Sequence, residues 1–511
     1  MTTSLWLAES NPISTDPFVD GEKYDEVIVG AGLTGLVTAL LFARAGKKVA
    51  VLEARFIGAT ASGNTTAKLS LLQGSQLQSI TSHTYQAVTQ AYVDGNRAGQ
   101  RWLLDYIESR GIAVQFRDAV SYAGTPDGVS TIAKEYRVAR SVGLDVRLTA
   151  ELDLPFETFG AVVLPEQAQF DPLDVLTALA ADVRALGGVV VDQTRVVAVK
   201  AGARDSGSAR VRTSRGEVST DHVHLTTGSP ILDRGLYFAK LSAKRSYVTS
   251  YTLPGSGAGA AQLPEGMFLS VDSPSRSLRT APVRPRLGEA GDGVQLLVGG
   301  NGHPVGREPS TQLMIDDLHE WTERYFPGAQ PTHSWSAQDY ETPHRVPFVG
   351  WLPRGRGRIY LATGYDKWGM TNAVMAALTL VSDVLGDSPE WAVVMHHRAT
   401  LPVAIASGLG SNAAVGWWAL KGWAGALLGP GLDALPEPHE REGLIGRAGL
   451  RPTGVSTVDG RTCAVSAVCP HLGGVLTWNN AEASWDCPLH GSRFDASGAL
   501  LEGPATRDLK R

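Results

Sequence analysis

Two short segments near the end of the chain, CPHLGG (Cys469–Gly474) and CPLHGS (Cys487–Ser492), each carry one cysteine and one histidine. Fifteen residues separate His471 from Cys487, giving CxH-x15-CxxH. Thiolate and imidazole at such offsets are metal ligands, and four ligands from two loops constrain the fold because both loops must face one centre. The last seventy residues or so suit that demand: turn signals and short β-prone runs, with no long helical pattern. Zinc also accepts two cysteines and two histidines. Zinc fingers, however, group like ligands together with a helix between, whereas here each loop mixes the two. The candidate ligands are Cys469, His471, Cys487 and His490. The third cysteine, Cys463, lies outside both loops and reads as a small core residue. Three cysteines make no disulfide framework, so a reducing, cytoplasmic setting is expected.

At 511 residues the chain is too long for one small core, and two or three domains are expected. A net charge of -5 and the lack of any basic tract set nucleic acid aside as a partner. The start, MTTSLWLAESNPIS, has no basic region followed by an apolar run and is not a secretory signal. The most membrane-like stretch is AAVGWWALKGWAGALLG (Ala413–Gly429), but Lys421 sits in its middle and it is short for a span, so no transmembrane segment is expected. It reads as a linker helix packed on a neighbouring domain. An interfacial or partner-docking helix, with Trp417, Trp418 and Trp423 as anchors, is the alternative.

Far upstream, YDEVIVGAGLTGLVTALLFARAGKKVAVLEA reads as strand, tight turn, helix and strand. Gly30, Gly32 and Gly35 form GxGxxG at the turn, with Leu33 and Thr34 in the first helical residues. The first glycine permits the turn, the second lets backbone approach a pyrophosphate, and the third lets helix and strand close up. Glu53, 18 residues after Gly35, is placed for ribose hydroxyls, with Ala54 and Arg55 following it. The other glycine-rich segment, LVGGNGHPVGREP (Leu297–Pro309), carries prolines where a helix should begin and reads as turns. One dinucleotide fingerprint plus a later ATG-x4-G turn favours a flavoprotein. From Leu241 to about Val349, short β-prone runs broken by Pro, Gly and Ser suggest an antiparallel sheet.

The segments VGAGLTG, Glu53, LTTG and YLATGYDKWGMTNA resemble the FAD-dependent oxidoreductases of the glycine/D-amino-acid oxidase superfamily, over roughly residues 20–386. The resemblance implies an α/β, Rossmann-like FAD-binding domain of glutathione-reductase type, built from about 24–95, 160–235 and 345–386. It further implies an antiparallel-sheet substrate domain at about 100–155 and 236–344, both within residues 1–386. In that family the loop FIGATASGNTTAKLS runs beside pyrophosphate and isoalloxazine, which makes Ser62, Gly63, Asn64, Thr65, Thr66, Ala67 and Lys68 expected FAD contacts. Val197 would meet the adenine side through its backbone, and Thr227 and Gly228 would lie near the pyrophosphate. Gly364, Trp368, Gly369, Met370 and Thr371 would set a helix N-terminus against the flavin N1–C2 carbonyl edge. Lys367 falls where glycine-oxidase-like enzymes hold a substrate carboxylate. Lys68, Lys244, Arg245, Tyr247, Tyr251 and Arg279 are further substrate-side candidates. His344 stands where the family pattern often carries Asp.

After a linker at 387–439, the segments CPHLGG, WDCPLHGSRFD and GPAT resemble a small all-β Rieske domain over about residues 440–511. By that likeness Cys469 and Cys487 bind one iron of a [2Fe–2S] cluster, and His471 and His490 bind the other. Gly474 and Leu489 occupy the positions of the disulfide cysteines of cytochrome bc proteins. Ser492 keeps one hydroxyl donor while Phe494 replaces a tyrosine, so a potential intermediate within roughly −150 to +300 mV is expected. A Rieske oxygenase is excluded, since no two-histidine, one-carboxylate iron site is present. Together the resemblances imply hydride transfer from a small amine, amino acid or N-alkyl substrate to FAD, at a CH–NH or CH–N bond. Single electrons would then pass through the cluster to a protein acceptor, with exposed His471 and His490 at the domain tip as the exit edge. The reverse current, or a substrate-free redox relay or sensor, are the alternatives.

Overall fold

The computed structural model describes residues 3–202, 207–254, 263–283 and 293–510. The β-branched run ending at Val29 forms the strand Lys23–Val29, which lies at the centre of an eight-stranded sheet. Its neighbours in parallel are Val49–Leu52 and Glu217–Leu225, followed outward by Val189–Val191 on one side and Ile359–Thr363 on the other. Phe348–Trp351 closes one edge antiparallel, and a hairpin of Val196–Lys200 with Ala209–Thr213 joins Glu217–Leu225. Because the central strands run parallel, their carboxyl ends emerge together. Gly30, Glu53, Thr226–Gly228 and Gly364 therefore meet along one rim although more than 300 residues separate the first from the last.

A second, nine-stranded sheet stands beside that rim. Its strands run in the order Gln330–Glu341, Ser242–Thr252, Val294–Pro304, Arg276–Pro282, Met267–Ser270, Val114–Tyr122, Ala161–Phe170 and Lys68–Leu69, with Arg147–Thr149 added on Ala161–Phe170. Every pairing is antiparallel except Met267–Ser270 with Val114–Tyr122. Two details differ from the sequence expectation. Ala161–Phe170, expected in the FAD-binding core, pairs in this second sheet. Much of the segment read as turns at Leu297–Pro309 belongs to the strand Val294–Pro304, because partners on both sides supply pairing that its glycines do not specify.

Residues 442–502 contain strands and turns but no helix. One sheet holds Glu442–Ala448, Arg451–Val458 and Arg461–Ser466; the other holds Thr477–Asn479, Ser484–Asp486, Arg493–Asp495 and Leu500–Glu502. The linker helix is longer than the sequence suggested, running Pro402–Leu428. Val415, Trp418 and Ala419 on its inner side pack on the core of this small domain, while Leu409, Trp417 and Leu420 face outward. Among the described residues no single helix is long and apolar enough to cross a membrane.

In the central strand, Glu26 is buried beside His222 and His224 of the adjacent strand, at 3.0 and 2.8 Å. Burial alone would raise its carboxyl, but hydrogen bonds from both histidines outweigh it and hold the group at about 2. A depressed acid stabilises the fold fully above its ordinary value and loses that contribution as pH falls through the folded value. Chemical denaturation as a function of pH is expected to show stability declining from about 4.5 toward 2. In Glu26→Gln that part of the acid slope disappears.

Candidate active site and metal centre

The glycine turn is built as its spacing requires. A Cβ at Gly30 (φ +107°) would lie 2.8 Å from Thr226 O, and one at Gly35 would lie 1.9 Å from Gly30 O, so neither position admits a side chain. Gly32 leaves room for Ser62, whose Oγ accepts the Leu33 N–H at 3.0 Å. Glu53 accepts from the backbone of Ala31 and Arg55, both at 2.9 Å, and so joins the turn to the end of the next strand. Thr34 Oγ1 lies 3.0 Å from Tyr365 OH, linking this helix to the ATG-x4-G turn. Val197 lies in the edge hairpin, and Thr227 Oγ1 donates to Ser229 O, shaping the turn at Gly228 (φ +74°).

The loop after Glu53 has a regularity that sequence reading missed. Five consecutive carbonyls each accept a side-chain hydrogen bond. Gly63 O takes Ser4 Oγ at 2.5 Å, Asn64 O takes Trp335 Nε1 at 2.9 Å and Thr65 O takes Trp6 Nε1 at 2.7 Å. Thr66 O and Ala67 O both take the buried guanidinium of Arg279. Ser4 and Trp6 belong to a short N-terminal helix, Leu5–Glu9, which Ser4 caps. With its carbonyls tied off, the loop is held rigidly against the rim of the parallel sheet. Trp6→Phe keeps the ring but removes one donor, a loss of about 1 kcal/mol or roughly fivefold in affinity. Fluorescence titration of the apoprotein with FAD is expected to show that weakening, with the secondary structure unchanged.

Among the described residues no side chain caps the helix Gly369–Leu385, so its first N–H groups suit a ligand. Gln73 Nε2 donates to Thr371 Oγ1 at 3.1 Å and fixes the first turn, while Met370 is buried. Just before it, Asp366 (φ 45°) and Lys367 (φ 73°) both adopt the left-handed region, costly for residues with side chains. Two hydrogen bonds hold them there: Asp366 N–H to Tyr340 O at 3.1 Å, and Lys367 N–H to Asp339 Oδ2 at 2.5 Å. Lys367 is exposed as a residue, yet protein surrounds its ammonium closely enough to lower its pKa by desolvation. A Cβ on Gly302 would sit 2.7 Å from its Nζ and 3.0 Å from Ser246 Oγ, a hydroxyl without a hydrogen-bond partner among the described residues. Lys68 is buried, donating to Phe268 O at 2.8 Å and Ser277 Oγ at 2.6 Å; burial, with Arg279 nearby, pushes its ammonium down to about 7.

Side-chain alternation sorts the remaining candidates between the two faces of the second sheet. Ser246, Ser277, Arg279, Trp335 and Asp339 point toward the rim of the parallel sheet. Arg245, Tyr247 and Tyr251 point away from it, which corrects their placement on the substrate side. Arg245, 1% exposed, ion-pairs with Glu482 and Glu502 of the small domain and donates to Gln338 Oε1 at 3.0 Å. Arg493 adds contacts to Glu482 at 2.9 Å, Asp486 at 3.2 Å and Glu502 at 3.7 Å. Tyr247 is fully buried, its OH 3.4 Å from His303. Lys244 pairs with Glu341 at 2.5 Å. His344 also lies elsewhere: its Nε2 is 3.1 Å from Thr400, just before the linker helix, and burial, with Arg398 adding, takes it down to about 4. Arg245→Ala leaves Arg493 alone to balance the buried Glu482, Asp486 and Glu502, and is expected to cost about 3 kcal/mol by denaturant titration.

The two Cys/His loops have the same backbone. In each, the cysteine N–H bonds the carbonyl five residues on (Gly474 at 2.9 Å, Ser492 at 2.8 Å), and the fourth residue on returns a bond to the cysteine carbonyl (Gly473 and Gly491, both at 3.0 Å). Gly473 (φ +72°) and Gly491 (φ +81°) take the left-handed conformation that this turn needs. Gly474 lies under Leu489, where a Cβ would come within 2.6 Å of it, so a close packing contact joins the loops at the pair of positions without cysteines. Cys469 and Cys487 are near enough to perturb each other, and the rings of His471 and His490 lie 5.2 Å apart. Ser492 Oγ reaches Cys469 and accepts Ala505 N–H at 3.0 Å. Ligands paired two and two suit a binuclear cluster, each iron taking two protein donors.

The histidine edge is not an exposed tip. Phe238 stands edge-on to both rings, 5.3 Å from His471 and 5.2 Å from His490, and His471 Nε2 meets Asp233 at 2.9 Å. That contact leaves Nδ1 of His471 for iron. The covering segment follows Gly228 in the FAD-binding part of the chain, so sequence reading of the small domain alone could not have found it.

Residues 25–382 match the family described as FAD dependent oxidoreductase, and residues 447–511 match the Rieske [2Fe-2S] domain. The chain belongs to the FAD-dependent oxidoreductase family and carries a C-terminal Rieske domain; its cofactors are FAD and a [2Fe–2S] cluster. A protein of Bacillus subtilis (strain 168) with the provisional name Rieske 2Fe-2S iron-sulfur protein YhfW is 28% identical over 516 residues, covering 99% of this chain and 97% of its own. The cytochrome b6-f complex iron-sulfur subunit 1 of Nostoc sp. is 51% identical over 45 residues, 9% of this chain and 25% of that protein. The fold is shared with glycine oxidase from Geobacillus kaustophilus, at TM-score 0.58 and 19% identity over 72% of this chain and 96% of that one.

Proposed function

We propose that the protein is a dehydrogenase that oxidises a small amine, amino acid or N-alkyl compound at a CH–NH or CH–N bond and releases the electrons singly through its Rieske cluster. The observation that carries this reading is the placement of flavin segments and cluster loops on opposite faces of one sheet. FAD supplies hydride acceptance and the cluster supplies one-electron steps. The chain's own residues bind and orient. Lys367 offers a cation to a substrate carboxylate, and Ser246 offers a hydroxyl on the same side of Gly302. The uncapped N-terminus of Gly369–Leu385 favours negative charge on the group it faces. Free thiolate ligands suit a reducing, cytoplasmic setting, and the electron acceptor would be a one-electron carrier protein.

Anaerobic mixing with a panel of primary and secondary amines and amino acids tests the reading. Bleaching of the flavin absorbance followed by the EPR signal of the reduced cluster is the expected result. A protein whose flavin no amine bleaches, but which reduced ferredoxin rapidly reduces, runs the current in the opposite direction and overturns it.

A further inference from the structure

Gln338 and Asp339 are neighbours on the strand Gln330–Glu341, so their side chains leave opposite faces of the sheet. On the back face, Gln338 Nε2 donates at 2.8 Å to the carbonyl of Gly491, the residue after the cluster ligand His490. The same nitrogen lies 2.8 Å from Tyr340 OH, and the ring of Tyr340 reaches Gly228 at the end of its parallel strand. On the front face, Asp339 Oδ2 accepts Lys367 N–H in the strained turn that leads into the flavin-facing helix. Cluster loop, two adjacent side chains and flavin turn thus form one continuous run of covalent and hydrogen bonds, a single sheet thick.

The cluster loop is closely packed in this seat. A Cβ on Gly491 would lie 2.4 Å from Ala243 Cβ, and one on Gly306 would lie 2.8 Å from Pro488 N, so the cluster loop's backbone packs on the Ala243 methyl at the first point and on backbone at the second. Arg307 Nε holds Pro488 O at 2.9 Å. The Arg245 and Arg493 ion pairs close the same interface, and Phe238 covers the histidine edge.

Building on the function proposed above, we infer that Gln338 and Asp339 are positioning residues for direct electron exchange between flavin and cluster, registering both centres on one rigid strand without movement of the Rieske domain. The flavin, anionic after accepting hydride, gives up its two electrons one at a time and, over the two transfers together, the single proton on N5, which passes to water; each electron turns one ferric ion of the cluster ferrous. An external one-electron carrier protein reoxidises the cluster between the first transfer and the second.

The test uses the full-length protein loaded with both cofactors, under anaerobic conditions, with the flavin reduced by a laser flash through a deazaflavin donor. Transfer is read as cluster reduction by absorbance and freeze-quench EPR, and both midpoint potentials are measured alongside. Gln338→Leu, which keeps volume but loses the donor, and Asp339→Ala are each expected to slow transfer about tenfold or more with potentials unchanged. Asp339→Asn retains an acceptor for Lys367 N–H and is expected to transfer at the native rate. Native-rate transfer in Gln338→Leu overturns the inference. Should that variant fail to hold its cluster, native-rate transfer in Asp339→Ala, which does not touch the cluster loop, overturns it instead. A native protein with both cofactors that shows no transfer at all refutes the proposed function, a result distinct from either.

Discussion

The arrangement of the whole chain depends on a buried set of ion pairs behind the second sheet. Arg245 and Arg493 face Glu482, Asp486 and Glu502 with little solvent between them. Burial works against charge on every one of these groups. The mutual contacts nevertheless keep Glu482 and Asp486 below the usual carboxylate range and raise Arg493 further, whereas for Glu502 burial wins and its carboxyl is pushed up. Such a set contributes little net stability compared with apolar packing, but a misplaced partner leaves a bare charge indoors. Its value here is therefore register. It admits one seating of the Rieske domain on the sheet, and that seating brings the cluster loop to Gln338.

Much of the site was legible because some residues have no substitute. Only glycine fits at Gly30 and Gly35, and only thiolate and imidazole serve as the cluster's ligands, so both cofactor sites stand out from sequence. The parallel order of the first sheet then brings Glu53, Gly228 and Gly364 to the same rim without further information. Arg245 and Tyr247 were harder. They lie in a strand whose register shifts at a bulge between them, and nothing in SAKRSY reveals which parity faces the flavin. The same holds for Gln338 and Asp339, whose opposite directions carry the coupling between the domains.

Other features were hidden because their partners are remote. Trp6 and Trp335 bond carbonyls in one five-residue stretch from sites 329 residues apart in sequence, and an isolated reading of either indole gives a core aromatic. Phe238 covers the histidines of a domain that begins some two hundred residues later. His344 illustrates the converse. Its sequence neighbourhood resembles a family position near the active site, but the chain has turned away and its imidazole packs at the base of the linker helix.

The ion pairs also bear on how the molecule is put together. Every carboxylate that meets Arg245 lies within the last thirty residues of the sequence, so an emerging chain completes the front of the sheet long before its back. Until then the FAD-binding part carries a guanidinium without its carboxylates and the surface that will receive the cluster loop. The linker at 387–439 looks like a place to divide the protein, yet the two pieces are finished only by each other. Cut there, the chain gives two incomplete surfaces in place of two domains.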